Sequence, residues 1–376
     1  MAVIITKQKD IEAYYEDPSI NQSLLKNLQD GLAGLKAAAA KKQKREEENK
    51  PEPDYFLYGG GVDTILTSEE GQYENQYYIS TLESTPSDAE VLIIKQVFDE
   101  LVANEVEIDM FLDQYRSMLD IAINDQQWYK GNPGEKRIAG LIERGTPYFE
   151  DLKNSLGKKV IGGNIDFTIQ AIVKSLRENP RTSKYFDRET QTLIDNVDFY
   201  YQLPIYWEMH GVKCKALLDM VIVVKDSYNH IMTIEPIDLK TMSGETLNFP
   251  TQLRSYRYDI QAAWYTKALL KHFEVEEHII KPFKFIVEST TNIGTPLVFE
   301  LNDETLLHGT WGSPAGILVT GSGREWYLKQ IKGWYQLLKE YIFYMENEFR
   351  EDIIIDNNPG TLVVDWTIGI QNVSRS

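Results

Sequence analysis

The stretch from Val197 to Thr241, "VDFYYQLPIYWEMHGVKCKALLDMVIVVKDSYNHIMTIEPIDLKT", constrains the fold most. It is dense in β-branched and aromatic residues, and turn residues break it twice, at Met209-His210-Gly211 and at Asp226 to His230. Such runs bounded by turn signals read as antiparallel strands joined by hairpins. The spacing predicts three strands, about 197–209, 212–225 and 231–241. A helix is expected next, about 251–272, then a strand in "PFKFIVEST", and late in the chain a long aromatic helix in "GREWYLKQIKGWYQLLKEYIFYMENEF". In that helix Trp326, Leu337, Tyr341 and Tyr344 are better explained by burial than by base stacking.

The hairpin brings two acids together. If Ser227 to His230 form the loop, Asp226 faces Ile231, and the same register sets Asp219 opposite Asp238. Directly opposed side chains share a sheet face, with Cβ atoms about 5 Å apart. Two carboxylates there repel, so a sheet gains nothing from the pair by itself. A divalent cation removes the conflict, because Mg²⁺ takes oxygen ligands and commonly uses one or two carboxylates with substrate phosphate. A one-residue slip of register would break the pairing.

Lys240 follows Asp238 by two residues and so shares its face. An ammonium there can stabilise charge on a reacting phosphate or orient an attacking water. Leu239 points to the other face, but its backbone carbonyl is a further oxygen donor. An Asp-x-Lys triplet alone is common, and a solvated strand end is its plain reading. In the following helix Gln261 and Tyr265 are four residues apart and share one face, with Arg254 and Tyr258 extending the stripe. An ordinary wet helix face explains them equally well when they are taken singly.

The N-terminal fifty residues read as helical, with Ser19 a candidate N-cap before Leu24, Leu25 and Leu28. A charged run follows Ala40 and ends at Pro51 and Pro53, a helix end passing into a linker. In "YFLYGGGVDTILT" three glycines at 59–61 interrupt an apolar helix-like pattern. Each costs a helix roughly 1 kcal/mol against alanine, so close approach by another backbone or a ligand is expected. Asp63, among apolar neighbours, reads either as a helix-start cap or as a ligand. Residues 87–144 look helical, 145–165 look like a glycine-rich loop, and Ile165 to Leu176 look helical again.

The set of Asp219, "IDLKT" with Asp238 and Lys240, and "QAAWY" with Gln261 and Tyr265 resembles the PD-(D/E)XK nuclease superfamily. Its Q-x-x-x-Y signature resembles the RecB-like branch, which includes lambda-type exonucleases and exodeoxyribonuclease VIII-like phage proteins. "YYEDPSINQSLLKNL" and "YFLYGGGVDTILT" are similar to the opening segments of the latter group. That group usually carries His where this chain has Asp63, and a carboxylate also suits a hard cation. The family often has an acid near the first strand, where this chain offers Gln202 or Glu208.

The resemblance implies an α/β fold with a restriction-endonuclease-like core, a central mixed or antiparallel sheet flanked by helices, and a helical N-terminal region. It implies residues 1–160 as that region, partly integrated with the core, 161–350 as the nuclease core and 351–376 as a tail. It implies a Mg²⁺- or Mn²⁺-dependent exonuclease of linear double-stranded DNA in phage-type recombination or DNA processing. Asp63, Asp219, Asp238 and the Leu239 carbonyl would hold the metal, while Lys240, Gln261 and Tyr265 complete the catalytic set. Implied partners are DNA, further copies of the chain and a single-strand-annealing recombination protein. Two other readings keep fewer of these features: a DNA-binding or structural module with an inactive site, and a plain α/β interaction protein.

Composition bounds these readings. The chain has 376 residues with ordinary apolar and charged fractions, enough to bury a large core. The net charge of −18 argues against a surface coated for nucleic acid, but leaves room for a local basic groove. Cys214 is the single cysteine, so no internal disulfide forms, and a reducing, intracellular (cytoplasmic) setting is the simplest fit. A packed thiol is the expected role for it. No apolar run of spanning length and no secretory leader is read, so no membrane partner is expected.

Overall fold

The computed structural model describes residues 2–47, 52–80, 82, 86–108, 111–128, 134–313, 316–319, 325–328, 331–349, 363–365 and 369–371. The chain opens with β1 (Ala2–Ile5), then α1 (Gln8–Glu16), α2 (Gln22–Lys26), α3 (Gly31–Glu47) and α4 (Asp54–Thr67). Next come α5 (Gln72–Gln76), β2 (Tyr77–Ser80), α6 (Asp88–Ala103), α7 (Arg116–Asp125), α8 (Glu135–Asn154), β3 (Lys159–Gly162), α9 (Gly163–Glu178) and α10 (Arg188–Gln191). The sheet-rich part holds β4 (Val197–Met209), β5 (Val212–Lys225), β6 (Ile231–Met242), α11 (Phe249–Ser255), α12 (Tyr258–His272), β7 (Lys284–Ser289) and β8 (Leu297–Glu300). The last elements are α13 (Asp303–Trp311), β9 (Gly312–Ser313), β10 (Gly316–Val319), β11 (Glu325–Leu328), β12 (Ile331–Lys332), α14 (Trp334–Glu346), β13 (Val363–Asp365) and β14 (Gly369–Gln371).

Two compact units result: residues 1–69 with 171–376, and residues 70–170. The larger unit is built on a six-stranded mixed sheet of order β1-β4-β5-β6-β7-β8. β4, β5 and β6 run antiparallel in sequence, whereas β1 joins β4 and β7 joins β6 in parallel. The parallel step from β6 to β7 needs a crossover, which α11 and α12 supply. The β4–β5 hairpin closes on His210 and Gly211, both at positive φ (52° and 77°), as a two-residue turn matched to strand twist requires.

The core of this unit lies between the sheet and α12, α14 and α2. Trp264 is its centre: fully buried, 4.9 Å from the Trp207 ring, 5.4 Å from that of Trp334, and donating its indole N–H to the Lys215 carbonyl at 3.0 Å. Cys214 is buried in the same core, and burial pushes its thiol pKa up to about 12, as befits a packed thiol.

The smaller unit packs α6, α7 and α8 around Ile93, Ile94, Val97, Leu119, Leu141 and Phe149. α6 starts in a capping box between Ser87 and Glu90, and Arg144 pairs with Glu90.

Three local expectations are corrected. The glycine-rich loop at 145–165 is in fact the second half of α8 followed by β3. Gly145 is there for packing, since a Cβ on it would lie 2.5 Å from Ile94 Cδ1. The helix expected over 251–272 is two helices, because Arg257 takes a left-handed φ of 54° between them, so Arg254 does not extend the Gln261 stripe. The late aromatic helix begins only at Trp334; Glu325–Leu328, which includes Trp326, is a strand. Residues 351–376, expected as a tail, lie outside the described residues apart from β13 and β14. Among the described residues, no helix is long and apolar enough to cross a membrane.

Candidate active site

β5 and β6 carry the first two acids. Their ladder runs from Val224↔Thr233 to Met220↔Ile237, so the next pair along is Asp219 and Asp238. The hairpin reaches this register by another route than expected. Lys225, not Asp226, pairs with Ile231, and a bulge between Val224 and Lys225 restores the alignment. The ladder stops one pair short of the acids. In place of the next backbone bond, Asp219 Oδ2 accepts from Leu239 N at 2.8 Å.

Asp238 is 1% exposed. Its Oδ1 accepts from Gln261 Nε2 at 2.7 Å, and its Oδ2 lies 2.5 Å from Lys240 Nζ. Oδ2 is thus held by the Lys240 ammonium, a close charge-assisted contact, while Gln261 holds Oδ1. Lys240 also lies 5.0 Å from the centroid of the Tyr258 ring. Its pKa is raised: burial opposes this, but the charges of Asp238 and Asp219 outweigh it. Asp219 is raised well above the usual carboxylate range, first by burial and then by the charges of Asp238 and Asp63.

Asp63 comes from α4, and it lies within the helix rather than capping its start. α4 lies against β6, where a Cβ on Gly59 would stand 3.4 Å from Thr241 Oγ1, an ordinary contact. Gln202 Nε2 donates to both Asp63 oxygens, at 3.0 and 2.8 Å, and to Thr67 Oγ1 at 2.8 Å. Thr67 Oγ1 is in turn 3.0 Å from Asp63 Oδ1. Burial raises the Asp63 pKa to about 6, with Asp238 adding to the rise and Thr67, Lys240 and Gln202 opposing it.

Gln202 holds a left-handed φ of 53° within β4, an uncommon conformation for a residue other than glycine. The pairs on either side of it are Tyr201↔Met220 and Leu203↔Leu218, which sets it across from Asp219. Of the two residues considered near the first strand, Gln202 therefore reaches the acids. Glu208 pairs with Lys213 near the far hairpin turn.

On α12, Gln261 and Tyr265 are both buried. Gln261 meets the Tyr265 hydroxyl as well as Asp238, so the two residues act on a carboxylate and not on the solvent face. Burial, then Asp238, raises the Tyr265 pKa well above its ordinary value. Tyr258 and Gln202 were named from the sequence without these contacts, whereas Thr67 was missed, although its four-residue spacing from Asp63 on one helix face was a usable signal.

The arrangement has two layers. Asp63, Asp219, Leu239 and Lys240 are half-buried, whereas Asp238, Gln202, Gln261 and Tyr265 are buried behind them. Among the described residues, no three His, Cys, Asp or Glu side chains converge as closely as the ligands of a bound metal. A hard cation that keeps its waters does not need three, since one or two carboxylates with substrate phosphate suffice. The donor chemistry fits such an ion: a group of oxygen donors in which Asp63 and Asp219 are raised first by burial, with neighbouring negative charge adding to the rise.

No family model and no curated protein matches the chain. Among solved structures it is similar to that of a "Putative exonuclease" from Eubacterium rectale, at a TM-score of 0.39 and 12% identity, covering 81% of each chain. A likeness this weak decides nothing about the site, and the functional reading rests on the geometry above.

Proposed function

We propose that this chain is a Mg²⁺- or Mn²⁺-dependent deoxyribonuclease of the PD-(D/E)XK class and its RecB-like branch, hydrolysing linear double-stranded DNA as an exonuclease. The observation that carries the reading is the state of Asp238. It is a fully buried carboxylate, next in register to a second carboxylate, Asp219, and ion-paired to a lysine two residues on. Stability alone gives no reason for that grouping.

Asp219, Asp238 and the Leu239 carbonyl would hold the cation, with Asp63 completing its shell. A bound cation supplies a nucleophilic water at neutral pH and offsets charge on the phosphate. The chain's own groups do the rest. Gln261 fixes the rotation of Asp238 through Oδ1. Gln202 and Thr67 fix Asp63 in the same way. Lys240, its charge assured by two neighbouring acids, sits where it can stabilise negative charge developing on the phosphate. Such supporting bonds are typically worth about 10–100-fold in metal affinity or activity.

The preference for ends over internal bonds, the role in recombination, assembly with further copies and an annealing partner follow from the family resemblance. A second reading, a DNA-binding or structural module that does not hydrolyse, is favoured by two observations: Lys240 pairs with Asp238, and among the described residues no three ligands converge.

Linear and covalently closed circular duplex DNA, each incubated with Mg²⁺, Mn²⁺ or EDTA, separate these outcomes. Loss of the linear form alone, with metal only, is the expected result. Loss of both forms would make it an endonuclease. DNA bound but intact under every condition would leave the non-hydrolysing module.

A further inference from the structure

A second site lies on the other side of α12. A cavity of 690 Å³, within the usual range for ligand pockets, opens between the β4–β5 turn, α12, α13 and the start of α14. Gln261 and Tyr265 use one face of α12; Lys267 and Lys271, one turn apart, line the cavity from another.

Its walls are aromatic. Trp311 is 53% exposed, large for an indole, and its ring centroid is 5.0 Å from that of Tyr335. His210 adds a third ring, 5.7 Å from Tyr335. Trp334 lines the same cavity, is buried, and has an indole N–H with no acceptor. Among the described residues neither Lys267 nor Lys271 has an acidic partner, and outside the lining Lys339 stands 4.6 Å over the Tyr335 ring. The lining itself holds two ammonium groups, Lys267 and Lys271, and two carboxylates, Glu208 and Glu277. In a chain of net charge −18, a lining whose charges balance is a local exception to the acidity.

We propose that this cavity is a subsite for single-stranded nucleic acid, holding one or two nucleotides with a base against Trp311 and Tyr335 and phosphate at Lys267 and Lys271. An exposed aromatic face beside unpaired cations is how proteins bind single strands without reading sequence. The choice of nucleic acid rests on the function proposed above. Stepwise hydrolysis of one strand of a duplex leaves the other unpaired, so an end-acting nuclease must manage a single strand. The site retains or guides that strand.

The test uses the full chain in EDTA, so that no strand is cut. Binding of a fluorescein-labelled oligothymidylate is followed by polarisation for wild type, Trp311→Ala, Trp311→Phe and the double variant Lys267→Ala/Lys271→Ala. Thermal unfolding is recorded for each. Trp311→Ala should weaken binding about tenfold or more and Trp311→Phe much less, since a phenyl ring still stacks. The double variant should weaken binding and flatten its salt dependence. Binding within about twofold of wild type in both Trp311→Ala and the double variant overturns the proposal, as does equal displacement of the strand by an acidic peptide. A wild type that cuts DNA but whose cavity variants bind normally sinks the subsite and spares the nuclease. Variants that lose binding in a protein that never cuts DNA do the reverse.

Discussion

Lys240 Nζ lies 2.5 Å from Asp238 Oδ2, so the lysine two residues on is the ion-pair partner of that oxygen, while Gln261 Nε2 donates to the other at 2.7 Å. Both oxygens of this buried carboxylate are therefore held, and removing either partner would leave a buried acceptor unmet, at a cost of about 1–3 kcal/mol.

Removing one of the opposed carboxylates should cost function and not stability. Asp219→Asn keeps an oxygen for Leu239 N and deletes the repulsion that raises Asp219. In EDTA its melting temperature should equal or exceed that of wild type, while metal-dependent hydrolysis is lost. A large drop in melting temperature would make Asp219 a structural residue.

Burial of Asp63, with the charge of Asp238 adding to it, predicts an unusual pH dependence for the metal-free protein. Asp63 titrates at about 6 when folded and at 3.8 as a free side chain. The folded state therefore binds more protons between these values, and the stability contributed by this group is lost as pH rises through that window. Thermal unfolding in EDTA should show wild type gaining stability relative to Asp63→Asn as pH falls from 7 to 5. Parallel profiles for the two proteins would contradict it.

Gln261 is a positioning residue. Gln261→Leu removes the donor to Asp238 Oδ1 and leaves that oxygen buried. Calorimetric titration with Mn²⁺ should show affinity falling about 10–100-fold, with hydrolysis falling in step. Gln261→Glu, which brings a fourth negative charge against Asp238, should fare no better. Unchanged Mn²⁺ affinity in Gln261→Leu would leave Gln261 a packing residue.

Trp264 carries the fold and not the chemistry. Trp264→Ala deletes a fully buried indole and its bond to the Lys215 carbonyl, at a cost of about 3–5 kcal/mol. Denaturant unfolding should show this loss.

The sheet was legible because strand alternation and turn chemistry agree over Val197 to Met242; the three strands fall where the pattern sets them. The Asp219–Asp238 register was reached through two compensating details, the pairing at Lys225 and the bulge beside it, neither of which the residues announce. Glycine misled twice, for opposite reasons. Gly145 looked like a loop residue and is buried in a helix against Ile94, whereas Gly333 does end a segment, since a Cβ there would meet Thr310 O at 2.3 Å. The break at Arg257 was invisible because its left-handed backbone goes with guanidinium bonds that the pattern does not announce, a local pair to Asp259 and a tertiary one to the Lys332 carbonyl. Gln202 could be named only alongside Glu208 for a similar reason: its role comes from a left-handed backbone and from Asp63, 139 positions away on another element.

The most direct measurement is hydrolysis of linear duplex DNA by wild type and Lys240→Ala, side by side, in Mn²⁺ and in EDTA. The account predicts degradation by wild type in Mn²⁺ only, and a rate lower by about 10²–10³ in Lys240→Ala, the scale on which a charge-stabilising group acts. Equal rates for the two proteins, or no degradation by wild type with any metal, would contradict it.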